Sequence, residues 1–346
     1  MPRALITGGA GFLGTYLVAA LESAGWDVRV LDVYVPPGGT PIRREQIVGD
    51  VRDSSVVSRA VRGVDVVINN AALVPVTGAD RKEHFDVNVG GTRAVLRAAA
   101  RTGAYVLHIS STAIYGAPQE LPITSSTLFA PVDDYGRSKL EAEAVVSLAR
   151  ADGQRVGLLR PRTLVGTGRL GLFDIIFARV RAGSRVPIFG RGQNIVQLCD
   201  VEDFSAAALA AVERRTAGDF NIGARVYGTV REDIEELIAA AGTTARVQPL
   251  PAWAIRGTLQ PLDALGRSPF TAWHYRVGPL SFYCDTSDAA RELAWYPRCS
   301  NAETLIGAYR DYQAEGVSDG RSAHRRALGG AVARVLRGRT RRESES

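Results

Sequence analysis

Lysine is nearly absent from this chain. Its 346 residues carry 42 lysine and arginine side chains, and only Lys82 and Lys139 among them are lysines. Arginine serves almost everywhere that positive charge is needed. A retained lysine therefore marks a place that suits a compact ammonium and not a wide planar guanidinium. Cysteine is scarce too. Cys199, Cys284 and Cys299 stand far apart without metal-type spacing, which excludes a disulfide framework and suits the reduced thiols of a cytoplasmic protein. Four unpaired histidines argue against a metal centre, so no metal is expected. Long apolar runs are missing as well. The uncharged stretch 4–21 is broken by Gly8, Gly9, Gly11 and Gly14. It reads as strand, turn and helix, and not as a membrane span or a cleaved leader.

The charge is uneven. Residues 321–346 hold eight arginines against two glutamates, a surplus of six that equals the whole formal charge of +6. The rest of the chain is balanced, so no basic face points to nucleic acid. Within that end, Ala327, Leu328, Ala331, Val332, Val335 and Leu336 recur at helical spacing among the arginines. The pattern admits an amphipathic helix on an anionic membrane surface or a partner. It equally admits a basic extension with no partner, since Gly329, Gly330 and Gly338 weaken a helix.

What is present begins at residue 3. A short apolar run leads into Thr7-Gly8-Gly9-Ala10-Gly11-Phe12-Leu13-Gly14, and an amphipathic pattern follows through Leu17 and Leu21. Glycines at 8, 11 and 14 between a strand and a helix allow a tight turn, close backbone approach to a pyrophosphate and near packing of helix on strand. The helix start then offers N–H groups and a positive dipole end to phosphate. Asp32 closes the next apolar strand eighteen residues after Gly14. A carboxylate there accepts from both ribose hydroxyls and repels a 2′-phosphate, which favours NAD over NADP. Arg43 and Arg44 keep NADP as the lesser option.

Further along stand Gly49-Asp50-Val51, Asn69-Asn70-Ala71-Ala72, Asn88-Val89-Gly90-Gly91-Thr92, Ser110-Ser111-Thr112-Ala113-Ile114-Tyr115-Gly116, Tyr135-Gly136-Arg137-Ser138-Lys139 and Arg160-Pro161. With these motifs in this order, residues 3–312 resemble the extended short-chain dehydrogenase/reductase family, and within it the NAD-dependent sugar-nucleotide epimerase/dehydratase group. The resemblance implies an α/β fold, a doubly wound parallel sheet of Rossmann type with a smaller interleaved substrate lobe. It implies cofactor contacts at Gly8, Gly11, Phe12, Leu13, Gly14, Asp32, Asp50, Val51, Ala71, Ala72, Asn88, Tyr135 and Lys139. It also implies a homodimer formed through the helices of residues 81–101 and 135–150.

Apolar periodicity places strands at 5–7, 28–31, 46–48, 64–68, 105–109 and 155–159, and helices from about residues 11, 54, 81, 134 and 173. The expected organisation is an NAD-binding domain over 1–165, to which 200–223 returns. A substrate lobe spans 166–199 and 224–315, and an Arg-rich tail spans 316–346. The amphipathic stretch 253–265 reads as a packing helix, with a substrate lid as the other option.

Tyr135 and Lys139 lie one turn apart on one helical face, so their tips can converge. A free phenol titrates near 10, too high for a base at neutral pH. A nearby ammonium and a positive nicotinamide favour the phenolate, and Tyr135 then accepts a proton from a substrate hydroxyl as hydride leaves the same carbon. Ser111, at the place of the family's catalytic hydroxyl, is expected to hold the reacting oxygen; Thr112 is the alternative. Two departures from the resemblance bear on the reaction. Dehydratases of the group carry Asp and Glu after the catalytic hydroxyl residue, and Thr112 and Ala113 stand there instead, so elimination by that route is not expected. Sugar-nucleotide members place a diphosphate-gripping arginine shortly before the segment 200–203; Val196 takes that place, with Arg160, Arg162, Arg169 and Arg276 as possible substitutes. The expected activity is an epimerase on a sugar or sugar-nucleotide. The alternatives are a dehydrogenase or ketoreductase resembling the hydroxysteroid-dehydrogenase branch, or a non-catalytic NAD-binding protein.

Overall fold

The structure is a computed structural model that describes residues 1–34, 45–75, 80–168, 173–250 and 277–314. The sequence expectations for Arg43, Arg44, Arg169, Arg276, the stretch 253–265 and the tail 316–346 fall outside the described residues.

In chain order the strands are β1 (Arg3–Thr7), β2 (Asp27–Asp32), β3 (Glu45–Val48), β4 (Val66–Asn69), β5 (Tyr105–Ile109), β6 (Val156–Pro161), β7 (Thr163–Val165), β8 (Arg185–Phe189), β9 (Leu198–Asp200), β10 (Asp219–Ile222) and β11 (Arg246–Leu250). The helices are α1 (Phe12–Ser23), α2 (Ser54–Ala60), α3 (Arg81–Phe85), α4 (Gly91–Thr102), α5 (Asp134–Ala151), α6 (Phe173–Arg181), α7 (Val201–Arg214), α8 (Val230–Ala241), α9 (Ser287–Leu293) and α10 (Asn301–Ala314). A seven-stranded sheet in the order β10-β6-β5-β4-β1-β2-β3 forms the centre, and every pairing in it is parallel. The doubly wound Rossmann-type sheet read from the sequence is therefore what the chain forms.

The sheet is covered on both faces, and the alternation of its strands assigns each side chain to a layer. Ala4, Ile6, Ile68, Leu107 and Leu159 share a core with Leu17, Val18 and Leu21 of α1 and with Phe204, Ala207 and Ala211 of α7. Leu5, Val67, Val106 and Leu158 face the other way, onto Val57 of α2, Val95 and Leu96 of α4 and Val146 of α5. Each valine, leucine, isoleucine or phenylalanine among them contributes about 1.5–3 kcal/mol when fully buried. The sheet thus provides a rigid base whose strand C-termini all open on one edge.

The helix expected from residue 81 runs to Thr102 but widens over Asp86–Gly90, where the backbone makes a π turn. Such turns interrupt helices where a side chain must be re-aimed, and this one carries Asn88. β4 begins two residues later than the apolar run suggested, because Val64 N–H is taken up in closing the turn to Val61. A third core joins α6, α8 and α10 through Phe177, Ile234, Leu237, Leu305 and Tyr309. It supports the paired strands β8 and β11 beyond the sheet.

Candidate active site

The glycine turn forms where β1 ends. Gly8 sits at φ +67, and a Cβ there would come within 2.8 Å of Ala71 Cα. A Cβ on Gly14 would meet Gly8 O at 2.2 Å. The turn is thus closed from inside at both residues, which only glycine permits. Gly11 differs: it is the N-cap of α1 in extended conformation and offers no capping side chain. No side chain of the cap therefore covers the start of α1, where a phosphate would dock. Thr7 Oγ1 accepts from Asn70 N–H and Ala71 N–H, both at 3.1 Å, and so staples the ends of β1 and β4. Asp32 closes β2 with one carboxylate oxygen accepting from Ala10 N–H at 3.0 Å, which holds the carboxylate against the turn. Phe12 and Tyr16 meet edge to face, and Tyr16 O–H donates to Thr167 O at 3.1 Å. That bond ties α1 to the segment after β7.

The second half of the site forms where β5 ends. Ser110, Ser111 and Thr112 follow one another there, in three different environments. Ser110 is buried and donates to Glu143. Thr112 is buried and donates to Pro161 O at 3.1 Å. Ser111 is half-buried, and its Oγ accepts from Ala113 N–H at 3.2 Å as the cap of a short 3-10 turn. Of the three hydroxyls, Ser111 alone is partly open to a ligand.

Helix α5 docks its first two turns on this bend. Asp133 caps it by accepting from Gly136 N–H at 2.7 Å. Gly136, next to Tyr135, lies so close that a Cβ would come 2.8 Å from Ala113 O. Lys139 Nζ donates to Ile109 O at 2.9 Å. The helix thereby carries Lys139 to the end of β5 and Gly136 against the residue two after Ser111. The edge of the Tyr135 ring meets the buried His84, with centroids 6.2 Å apart. Burial pushes the Lys139 ammonium down to about 8, against the opposing pull of Glu143.

Beneath the bend lies a polar network. Arg160, at the end of β6, holds Glu143 through Nε at 2.9 Å and Nη2 at 2.7 Å, and reaches Asp219 at 2.9 Å. Burial opposes its charge, but the bonds and charge of Glu143 overcome that and raise it above the ordinary guanidinium range. Arg160 is thus fully engaged inside the protein and supports the loop.

These positions agree with a family known from sequence. The profile described as the NAD dependent epimerase/dehydratase family matches residues 4–223. The chain belongs to this family. It is an NAD-dependent enzyme of the short-chain dehydrogenase/reductase superfamily. Among its relatives, the uncharacterised protein y4nG of Sinorhizobium fredii is 36% identical over 321 residues, covering 92% of this chain and 80% of that protein. A UDP-glucose 4-epimerase of Lactobacillus helveticus is 28% identical over 331 residues, covering 88% and 94%. Among solved structures, the UDP-glucose 4-epimerase of Thermotoga maritima superposes with a TM-score of 0.75 at 23% identity, covering 90% of this chain and 99% of that one.

As a member of the NAD dependent epimerase/dehydratase family, the chain must offer room for a dinucleotide, and the side-chain-free glycine turn with Asp32 beside it fits one. The remaining expected contacts fall as follows. Gly8, Gly11, Phe12, Leu13 and Gly14 form the turn and the start of α1, and Asp32 and Ala71 lie against it. Asp50 is gripped by Arg52, whose side chain lies 2.6 Å away, and this bonding holds its carboxyl below the usual range. Val51 is buried against Gly91, where a Cβ would come within 2.6 Å of its Cγ1. Asn88 spends its side chain inside the protein: Oδ1 accepts from Leu73 N–H at 2.8 Å, while Nδ2 donates to Leu73 O at 3.1 Å and to Ser138 Oγ at 2.8 Å. Its role is to tie the loop after β4 to the Tyr135 helix. The backbone of Val196 pairs with that of Phe282, and the Val196 side chain packs partly buried against the third core, so no charge stands at the place of the family's arginine. Asp200, Asp203 and Cys299 bring ligand atoms within 4.8 Å of one another. Asp200 caps α7 and Asp203 accepts from the N–H groups of Arg298 and Cys299, so both carboxylates serve the fold. No helix among the described residues is long and apolar enough to cross a membrane.

Glu143 and His84 were not anticipated from the sequence. Glu143 had a signal: an acid one turn beyond Lys139, on the helix face that carries the lysine into the protein. His84 had none, since its contact with Tyr135 joins segments far apart in the chain.

Proposed function

We propose that the protein is an NAD-dependent epimerase acting on a sugar or sugar-nucleotide through transient oxidation to a ketone. The observation that carries this reading is the docking of α5 on the Ser111 bend, with Lys139 buried against the end of β5. In this reading Gly8, Gly11, Phe12, Leu13, Gly14, Asp32, Asp50, Val51, Ala71 and Ala72 hold the dinucleotide, and Asn88 positions the loop beside it. A bound NAD supplies a reversible hydride acceptor. Tyr135, as phenolate, takes the proton of a substrate hydroxyl. Ser111 holds the oxygen through the change from alcohol to ketone. Lys139 favours the phenolate by its charge. When the ketone presents its other face, Tyr135 returns the proton to the same oxygen, and the carbon is inverted. Thr112 and Ala113 provide no acid or base for elimination.

The substrate would sit between the strand ends and the segments 166–199 and 224–315. A homodimer through α3–α4 and α5 and a cytoplasmic location belong to the same reading; the exposed Leu148 on α5 supports the first. A second reading, a dehydrogenase or ketoreductase on a less charged substrate, is favoured by Val196 standing where sugar-nucleotide members carry an arginine. The test is a screen of nucleotide sugars against purified protein, reading product stereochemistry and reduced-nicotinamide absorbance. An epimerase interconverts its substrate without net cofactor turnover. A dehydrogenase changes the absorbance in proportion to product. Tyr135→Phe should abolish turnover and leave NAD affinity within about threefold; an unaffected rate would remove Tyr135 from the chemistry.

A further inference from the structure

Arg160 and Arg162 leave β6 two residues apart, and both are 3% exposed. Their electrostatic situations are opposite. Arg160 has two carboxylates. Arg162 has none among the described residues. Its Nη1 donates to Thr112 Oγ1 at 3.1 Å and its Nε to Gln197 O at 3.2 Å. The guanidinium carbon lies 4.0 Å from the Phe282 ring centroid, and Nη2 is buried without a partner. The ionisable groups whose charge would act on it are Cys284 and Cys199, and burial raises both thiols, the first to about 12, so both stay neutral.

An internal cation without a counter-charge is costly. Its bonds to Thr112 and Gln197 and its contact with the Phe282 ring hold the guanidinium in place but do not neutralise it. Its location does point to a use. Thr112 directly follows Ser111, the hydroxyl that would hold the reacting oxygen. The guanidinium thus lies one residue behind that anchor, shielded from water, where its field is weakly attenuated. The two positions at which the dehydratases carry acids hold Thr112 and Ala113, so no negative charge on this bend cancels the field.

We propose that Arg162 is a specificity residue, an internal cation that favours substrates bearing a carboxylate on the reacting sugar ring. The proposal rests on the sugar-nucleotide reading above. A neutral sugar leaves the charge uncompensated, whereas a uronic acid supplies the missing anion.

The test uses two probes that differ only in that group, UDP-glucuronic acid and UDP-glucose. Their binding to the NAD-loaded Tyr135→Phe protein is measured by calorimetry, with Arg162→Met and Arg162→Lys added in turn and the melting temperature of each NAD-free protein recorded. The parent should bind the uronate about tenfold or more tighter. Arg162→Met should bring the two affinities together through loss of uronate binding, with binding of UDP-glucose retained. Arg162→Lys should retain part of the preference. Equal affinities in the parent, or a preference that survives Arg162→Met, overturns the proposal and leaves the sugar-nucleotide reading standing. A lowered melting temperature with both sugars weakened alike would show Arg162 to be a structural rivet, and also overturns it. If NAD binds and neither sugar does, the sugar-nucleotide reading falls and takes this proposal with it.

Discussion

Replacing Lys139 by methionine should make the NAD-free fold more stable at neutral pH while destroying turnover. Burial lowers this ammonium from its ordinary 10.5 to about 8. Each unit is worth about 1.4 kcal/mol, so keeping the side chain charged in the folded state costs about 3 kcal/mol. Methionine removes that cost and forfeits the bond to Ile109 O, worth about 1 kcal/mol plus some penalty for the stranded carbonyl. The net gain at pH 7 is about 1–2 kcal/mol. The sign must reverse with pH. Below about 8 both folded and unfolded chains hold the proton and the full penalty applies. Between about 8 and 10.5 the unfolded chain binds more protons than the folded one, so the stability of the parent rises through that window. The variant lacks this rise. Urea denaturation of both proteins in steps from neutral to strongly alkaline pH should show their stability difference moving by about 3 kcal/mol, because every other titrating group cancels in the comparison. A difference that stays constant across the series would refute the argument. Lys139 would then not be held against a desolvation penalty, and its proximity to Tyr135 would lose its electrostatic meaning.

Three further outcomes follow from the same geometry. Asp32→Ala should weaken NAD about ten- to hundredfold by removing a charged acceptor, and should relax discrimination against NADP; fluorescence titration with both cofactors reads this, and an unchanged ratio would take Asp32 out of the ribose site. Gly14→Ala forces a Cβ to 2.2 Å from Gly8 O, and the displaced turn should cost about 1–3 kcal/mol, read as weakened NAD binding by calorimetry. Arg160→Met should destabilise the fold by about 3–5 kcal/mol, because it strands buried Glu143 without its guanidinium, with the loss measured by urea denaturation and not recovered by Arg160→Gln.

Much of the sheet was legible because its strands are short apolar runs set between turn signals. Residues 105–109 alternate between two covered faces, so every side chain is apolar or internally bonded, and such a run has few other ways to fold. The glycine turn was legible for a related reason: Gly8 and Gly14 leave no space for a side chain, and spacing alone records that. Ser111 and Thr112 are adjacent hydroxyls of equal promise in the sequence. They separate only when β6 arrives, because Pro161 O and Arg162 occupy Thr112 and leave its neighbour half-open. Asn88 reads as a ligand residue by position, yet a π turn rotates it onto Leu73 and Ser138, and no local pattern foretells that turn.

The arginines of β6 mark the limit most clearly. Arg160 and Arg162 share a strand exit, a side-chain type and near-complete burial. What divides them is supplied from α5 and β10, which bring Glu143 and Asp219 to the first and nothing to the second. A charge in a sequence has no sign of its compensation until distant segments meet. The uncompensated one is consequently the more informative of the two, because its charge is held inside the protein without an anion, beside the bend where the reacting oxygen would rest.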